Sequence, residues 1–275
     1  MIDLHTHTTA SDGRCTPEEL VNRASRAGVT VLGLTDHDTV AGIEPTAAAC
    51  AGAGIEFVPG IEITAIAGGI DVHVLGYFID AASPSLESFL SEQRQRRLDR
   101  VQRIVERLAA HGILLDADAI IAPAVANPAI SAGRPWIARA LIAGGHVADS
   151  GEAFEKWLAA GRAAFVPRMG ARPEEVFARI HEAGGIASLA HPALVEHDDW
   201  IPGFAAAGLD ALEAYHSDHD EDATVRYVGL ADRLGLAVSG GSDFHGDDEY
   251  HGPGGPGSVA LPRDRFDRLK ALGVR

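Results

Sequence analysis

Short apolar runs that end in histidine or carboxylate residues are the feature that most constrains how this chain can fold. Six of the 13 histidines lie within or directly after such runs, and each run is rich in β-branched residues or bounded by glycine. These properties predict short buried strands. The six are His5, His7, His37, His73, His191 and His245.

Helical patterns separate several of these runs. Thr16 precedes Pro17 and is followed three residues later by Glu19, which is the arrangement of a capping box at the start of a helix. A second pattern opens at Arg172-Pro173 and closes at Gly184-Gly185. Alternation of strands and helices predicts an α/β fold with parallel strands. Reactive side chains in such folds collect at the C-terminal ends of the strands.

Nine ionisable side chains are therefore expected at one end of the sheet. His5 and His7 are two residues apart, as are Asp243 and His245, and residues at this spacing in a strand point to the same side. A lone histidine at a strand end is usually structural, but packing does not explain so many ionisable groups together. Their burial is costly without a compensating charge, which metal ions supply. The acidic members of the set are Asp12, Glu62 and Asp243.

Composition excludes several classes of protein. The chain has 275 residues, a formal net charge of −16 and only two cysteines, so a disulfide framework and a broad nucleic-acid surface are not expected. No apolar stretch approaches the length of a membrane-spanning helix. The first residues lack a basic region followed by an apolar run, so we expect no secretory leader and a cytoplasmic protein.

The order of the polar motifs resembles that of the PHP family, the polymerase and histidinol phosphatase phosphoesterases. HxH alone is a weak signal, but the ordered set extends along almost the whole chain. The resemblance implies a distorted (β/α)7 barrel with a trinuclear metal centre. The motifs are His5-Thr6-His7, Ser11-Asp12-Gly13, Thr35-Asp36-His37-Asp38, Gly60-Ile61-Glu62, His73-Val74-Leu75-Gly76, Ala190-His191-Pro192 and Gly241-Ser242-Asp243-Phe244-His245.

The resemblance also implies how three divalent ions would be held. Nitrogen and oxygen ligands suit manganese, iron or zinc, and manganese is the first choice by resemblance. Open positions on the ions would hold a bridging hydroxide that attacks phosphorus. The implied ligands are His5, His7, Glu62 and Asp243 for the first ion, Glu62, His73 and His191 for the second, and Asp12, His37 and His245 for the third.

The motifs most resemble the branch of that family that acts on small nucleotides. The leading expectation is hydrolysis of the 3′-phosphate of a nucleoside 3′,5′-bisphosphate, and the alternative is 5′→3′ degradation of short 5′-phosphorylated RNA. Histidinol-phosphate hydrolysis, an amidohydrolase and a non-catalytic metal-binding PHP module stay open as further alternatives. An amidohydrolase often uses a carbamylated strand lysine, but neither Lys156 nor Lys270 lies in a predicted strand.

A helical insertion is predicted at residues 81–162, between barrel segments 1–80 and 163–275. Residues 83–112 form one long helical pattern with Ser83 as cap and Pro84 in the first turn. The insertion carries ten Lys and Arg against nine Asp and Glu, so it is much less acidic than the barrel. The arginines of the long helix are expected to face water. They are Arg94, Arg96, Arg97, Arg100, Arg103 and Arg107.

Three residues outside the ligand set are candidates for contact with the substrate. Arg134 opens a helix after Gly133, where an arginine and free backbone N–H groups favour a phosphate. Arg168 lies where the chain re-enters the barrel, and His216 follows the predicted strand at 209–214. Each corresponds to a position of the family near the substrate, and His216 is also a candidate catalytic residue. Asp38, beside His37, is expected either to orient that ligand or to cap a helix.

Overall fold

Seven strands form one mixed sheet that is nearly closed into a barrel with helices around it. The structure, a computed structural model, describes residues 1–127, 132–246 and 254–273. The strands follow one another in the sheet in chain order. They are β1 (Ile2–Asp3), β2 (Val31–Leu34), β3 (Glu56–Ala67), β4 (Ile70–Tyr77), β5 (Ile186–Leu189), β6 (Ala211–Tyr215) and β7 (Ala237–Gly240).

The ends of the sheet meet through the backbone beyond β1 and β7. The N–H of Leu4 donates to the carbonyl of Gly240 at 3.2 Å, and Thr6 forms a parallel bridge with Phe244. The predicted distorted barrel is therefore confirmed. The segments that follow β1 and β7 lie side by side, which brings the first and last histidine motifs together.

Helices occupy the connections between strands. The predicted capping box at Thr16 is confirmed, since its hydroxyl accepts from the Glu19 N–H at 3.2 Å while the Glu19 carboxylate accepts from the Thr16 N–H. The helices are α1 (Pro17–Arg26), α2 (Ile43–Ala53), α3 (Pro84–Ala110), α4 (Ala117–Ala126), α5 (Arg134–Ala143), α6 (Ser150–Ala153), α7 (Pro173–Glu182), α8 (Pro192–Val195), α9 (Ile201–Ala206), α10 (Glu221–Leu234) and α11 (Arg263–Leu272), with a π turn at Phe154–Leu158 and a 3₁₀ turn at Asp198–Trp200.

The expectation that all strands are parallel is wrong for β4. This strand runs antiparallel to both β3 and β5, because a two-residue turn joins it to β3. Gly68 and Gly69 have φ values of 57° and 87°, the left-handed conformation that tight hairpin turns require. Consequently His73 lies within β4 opposite Thr64, not at the end of a parallel strand.

The apolar interior forms two clusters. The larger one fills and surrounds the barrel and includes Leu86 and Phe89 from the start of α3. The smaller one packs the rest of α3, from Leu98, against the helices that follow, up to Val166. Because α3 contributes to both clusters, the insertion boundary at residue 81 stays a prediction. Among the described residues, no helix combines the length and apolar character needed to cross a bilayer.

The junction of β7 with the segment after β1 leaves no room for a side chain at residue 241. A Cβ on Gly241 would lie 2.2 Å from the backbone nitrogen of His5 and 2.7 Å from a carboxylate oxygen of Asp3. We predict that Gly241→Ala lowers the free energy of unfolding by about 2 kcal/mol or more, measured by chemical denaturation.

Gly52→Ala is the matched control. Nothing lies within 4 Å of a Cβ at Gly52, which is in α2. Replacing a helical glycine there should stabilise the protein by roughly 0.5–1 kcal/mol. If the Gly241→Ala protein were as stable as the native one, the close contact at this junction would be wrong.

Candidate metal centre

Glu62 is the centre of the candidate site. It lies in the middle of β3, just beyond the end of β2, and its side chain is 1% exposed. Its Oε2 lies 3.1 Å from Nε2 of His5, 3.2 Å from Nε2 of His7 and 3.4 Å from Nδ1 of His37. Its Oε1 lies 2.8 Å from Nδ1 of His73 and 3.2 Å from Nε2 of His191. Four strands or strand ends, those of β1, β2, β4 and β5, thus deliver five imidazoles to one carboxylate.

Asp243 is a second acidic centre on the β7 side. Its Oδ1 lies 3.2 Å from Nε2 of His5, 3.1 Å from Nε2 of His7 and 3.5 Å from Nδ1 of His245. Asp243 also has a φ of 52°, a left-handed conformation that is uncommon outside glycine and clusters at functional sites.

Asp12 forms the outer edge of the cluster. One of its oxygens lies 3.4 Å from Nε2 of His245 and the other 3.7 Å from Nε2 of His37. Asp12 is the most solvent-accessible of the three carboxylates, with a side chain 58% exposed. The structure therefore brings all nine predicted ligands together at one end of the barrel.

The arrangement of these nitrogen and oxygen atoms suits shared metal ions better than it suits hydrogen bonds between the side chains. Nδ1 of His73, both ring nitrogens of His7 and Oδ1 of Asp243 are buried and have no hydrogen-bond partner in the described structure. Nδ1 of His73, Nε2 of His7 and Oδ1 of Asp243 nevertheless lie 2.8–3.2 Å from other donor atoms. This is the separation expected of atoms that share an ion at bond lengths of about 2.0–2.2 Å. A buried polar atom without a partner is otherwise costly.

The described donors fall into four groups whose ligand atoms lie within 4.8 Å of one another. One group matches the first implied ligand set, and a second contains the third set with His7 added. The implied second set, Glu62, His73 and His191, does not match any of the four groups. In the structure Glu62 and His73 group with His37, and His191 belongs to none of the groups although its Nε2 lies 3.2 Å from Glu62. The fourth group joins His5 to Glu213 and His216. The division of ligands among ions therefore stays a prediction.

Electrostatics show that the cluster attracts positive charge. Burial alone would lower the pKa of His7, but the close carboxylates of Asp243 and Glu62 outweigh it and raise this pKa to about 10. Burial, together with the charge of His7, lowers the pKa of His37 to about 4 against the opposing effect of Glu62. His37 is therefore neutral near pH 7 and offers a free lone pair, the form that binds metals.

Glu213 is a member of the site that sequence reasoning missed. This fully buried carboxylate on β6 lies 2.9 Å from Nδ1 of His5 and accepts the backbone N–H of His191 at 2.7 Å. It thereby fixes two predicted ligands, since a carboxylate on Nδ1 leaves Nε2 of His5 to face the centre. The sequence feature that could have revealed it is that Glu213 is the single charged residue in the otherwise apolar run of β6.

Asp36 and Asp38 hold the loops that carry ligands. Asp36 accepts from the backbone and hydroxyl of Thr8 and from the hydroxyl of Ser11, which fixes the loop before Asp12. Asp38 accepts from the backbone and hydroxyl of Thr64. The alternative that Asp38 caps a helix is wrong, because α2 begins only at Ile43 with Gly42 as cap.

His216 lies in the cluster, and its hydrogen bonding fixes its tautomer. Its Nδ1 accepts the backbone N–H of Asp218 at 3.1 Å, so the neutral ring carries its proton on Nε2. That nitrogen is buried and lies 3.4 Å from Oδ2 of Asp243.

An open cavity of about 670 Å³ lies between the metal-ligand cluster and the helical insertion. Asp12, His37 and His73 line it on the barrel side, and Arg97 and Arg168 contribute guanidinium groups. Arg168 is paired with Asp71 at 2.8 Å. Of the two predicted phosphate-binding arginines, the structure thus places Arg168 on the cavity.

Arg134 is placed differently from Arg168. Its guanidinium donates to the carbonyl of Leu158 at 3.3 Å and lies 5.4 Å from the ring centre of Phe154. Arg134 is not among the described residues that line the cavity, although its neighbours Gly133 and Pro135 are. The first turn of α5 therefore faces the cavity more directly than the arginine does.

The expectation that the α3 arginines all face water is wrong for Arg97 and Arg100. Arg97 is 12% exposed and forms an ion pair with Asp38, because α3 crosses over the barrel end at this point. Arg100 donates to the carbonyl of Val166 at 2.9 Å. Burial, and then the charges of Arg134 and Arg168, lower the pKa of Arg100 to about 10. Several guanidinium groups are thus close enough to repel one another, which favours a bound anion.

Comparison with known proteins shows the family. The PHP domain matches residues 3–124. A 3′,5′-nucleoside bisphosphate phosphatase of Chromobacterium violaceum is 37% identical over 251 residues, which cover 89% of this chain and 87% of that protein. The chain belongs to the PHP family. A 5′-3′ exoribonuclease of Haemophilus influenzae is also 37% identical, over 88% of this chain and 89% of its own length.

A solved PHP-type structure supports the fold and the enzyme class. A Bifidobacterium adolescentis protein assigned as a metal-dependent phosphoesterase is 32% identical, with a TM-score of 0.81 over 99% of this chain and 96% of that one. This PHP chain is accordingly a metal-dependent phosphoester hydrolase. Neither lysine serves as a bridging ligand, because Lys156 pairs with Glu152 and Lys270 with Glu56.

The role of Glu213 can be tested through metal affinity. Glu213→Gln keeps the size of the side chain but replaces one acceptor oxygen with a donor, so it cannot accept from both His5 and His191. We predict a loss of metal affinity of about 10- to 100-fold, measured by titration calorimetry with Mn²⁺. Glu56→Gln, at the far end of β3, is the control. Native affinity in the Glu213→Gln protein would rule out this positioning role.

Proposed function

We propose that this enzyme hydrolyses the 3′-phosphate of nucleoside 3′,5′-bisphosphates to give a nucleoside 5′-monophosphate and phosphate. The observation that carries the proposal is one cavity lined both by predicted metal ligands and by guanidinium groups. A substrate with two phosphates can place one at each end. The relative named as a 3′,5′-nucleoside bisphosphate phosphatase supports the same assignment.

The ligand sets support three divalent ions, with manganese as the first candidate and iron or zinc as alternatives. The first would be held by His5, His7, Glu62 and Asp243, the second by Glu62, His73 and His191, and the third by Asp12, His37 and His245. When bound, such ions lower the pKa of water and neutralise charge on phosphoryl oxygens. The mixed nitrogen and oxygen donors on the barrel end suit all three metals.

The arginines bind the phosphate that is not cleaved. Arg168 lines the cavity and pairs with Asp71, and Arg97 pairs with Asp38 on the same cavity. Their charge acts locally, so the net charge of −16 does not exclude an anionic substrate. Binding the remote phosphate orients the ester bond over the ligand cluster.

His216 contributes a proton donor beside Asp243. The hydrogen bond from the Asp218 N–H holds its Nδ1 as an acceptor, so Nε2–H is directed into the cluster. In this orientation His216 donates to an oxygen of the bound phosphate ester. It does not serve as a metal ligand through Nε2 while that atom carries the proton.

Stepwise removal of nucleotides from the 5′ end of short RNA is the second candidate. It is favoured by the exoribonuclease relative and by the open cavity, which leaves room for a chain to leave the site. Both reactions break a 3′ phosphorus–oxygen linkage next to a 5′-phosphate, so one set of residues can serve both.

The decisive assay uses adenosine 3′,5′-bisphosphate with Mn²⁺ and identifies the products by mass spectrometry. The proposal predicts 5′-AMP and phosphate. Formation of 3′-AMP, or no turnover with metal bound, would overturn it. A 5′-phosphorylated oligoribonucleotide in the same assay tests the second candidate, which predicts mononucleotides released from the 5′ end.

Removing the central carboxylate should abolish turnover. Glu62→Gln keeps the shape of the side chain but loses the charge that faces five imidazoles, so we expect kcat to fall by about 10³-fold or more and the bound metal to decrease. Elemental analysis and the bisphosphate assay measure both effects. Near-native activity with a full complement of metal would contradict the assignment of Glu62 as a ligand.

The two arginine candidates can be separated by substrate. We expect Arg168→Ala to raise KM for adenosine 3′,5′-bisphosphate by about 10- to 100-fold and to leave KM for 3′-AMP, which lacks the 5′-phosphate, nearly unchanged. Arg134→Ala should have a smaller effect because its guanidinium is turned to Leu158. Arg172→Ala, exposed at 82%, is the control. Equal effects on both substrates would remove Arg168 from the 5′-phosphate site.

A further inference from the structure

One side of the substrate cavity is apolar. Ala132 and Gly133, just before α5, and Pro135 and Trp136, in its first turn, line the cavity together. Most of the other described lining residues are charged or polar, and they include the predicted metal ligands and the arginines. The cavity therefore has a strongly polar part and a flat apolar part.

Trp136 is partly buried at this apolar side. Its indole is half-buried and packs against the smaller apolar cluster, to which the next residues on α5, Ile137 and Ala138, belong. The part of the indole that remains accessible faces the cavity. A tryptophan fixed on one side and open on the other loses little conformational freedom when a flat group packs on it.

Arg139 lies beside the indole, one helical turn further along α5. Its guanidinium carbon is 5.9 Å from the centre of the Trp136 ring, and Arg139 also lines the cavity. Aromatic rings and guanidinium planes are the two side-chain surfaces on which unstacked nucleobases pack. The pair thus offers two planar groups next to a site that binds phosphate.

We propose that Trp136, supported by Arg139, is the surface on which the base of the substrate stacks. The inference rests on the proposed nucleotide phosphatase function and adds the residue that recognises the base. A stacking surface accepts any base because every base has a π-face. It distinguishes nucleotides from sugar phosphates, which carry no planar ring.

A pair of matched substrates tests this role. Trp136→Ala should raise KM for adenosine 3′,5′-bisphosphate by about 5- to 150-fold, the effect typical of a lost base stack, with little change in kcat. KM for methyl ribofuranoside 3,5-bisphosphate, which keeps both phosphates and lacks the base, should not change. Trp136→Phe should retain most of the affinity. Trp200 stacks on His197 instead, so Trp200→Phe serves as the control for folding. Equal losses on both substrates, or none on either, would overturn the proposal.

A binding measurement without catalysis keeps the two proposals separate. The chain has three tryptophans, so Trp157→Phe combined with Trp200→Phe leaves Trp136 as the sole indole fluorophore. In the Mn²⁺-loaded protein of this double variant, 5′-AMP, which is the proposed product and is not turned over, should quench the fluorescence, and ribose 5-phosphate should not. Absence of a quench by 5′-AMP contradicts base stacking. A quench without hydrolysis of any bisphosphate would instead contradict the proposed reaction and leave the base site standing.

Discussion

The buried carboxylate of Glu62, faced by five imidazoles, is the interaction on which the rest of the structure depends. A single negative charge in a low-dielectric interior is costly, and so are several imidazolium ions packed around it. Divalent cations bound here would resolve both problems, because they would compensate the carboxylates while the histidines bound them in the neutral form. Buried nitrogen and oxygen atoms that lack hydrogen-bond partners but lie about 3 Å apart are what a metal site of this kind predicts.

The barrel serves this cluster by bringing distant parts of the chain to one end. Parallel strands deliver the ligands that follow β1, β2 and β7, while the hairpin at Gly68-Gly69 reverses the chain so that β4 can place His73 opposite the same end. Glu213 then ties the first and fifth strands together through His5 and the backbone of His191. Glu213 therefore orients predicted ligands that come from two separate strands.

The helices between β4 and β5 supply cationic and aromatic side chains to the cavity. The barrel end is rich in carboxylates, whereas α3 and α5 bring arginines and an indole to the facing side of the cavity. The ion pair of Arg97 with Asp38 joins the two sides directly beside the ligand His37. In the proposed function, the barrel would hold the reacting phosphate and the helices would contact the remainder of the substrate.

Much of this arrangement could be predicted from the sequence, since histidines at the ends of short apolar runs mark strand ends whatever their partners are. The direction of β4 was mispredicted although Gly68-Gly69 between two apolar runs is a hairpin signal, because the strand–helix alternation of the rest of the chain favoured parallel strands. Arg97 looked like one charged residue of a solvated helix, and only its packing over the barrel end buries it. Glu213 was visible as a charge in an apolar run, but its partners lie 208 and 22 residues away.

Anomalous X-ray diffraction from crystals grown with Mn²⁺ tests the central claim most directly. The account predicts strong peaks within bonding distance of Glu62 and Asp243, each surrounded by the histidine nitrogens that lack hydrogen-bond partners. A protein that hydrolyses the phosphoester while its crystals show no manganese in this cluster would contradict the account.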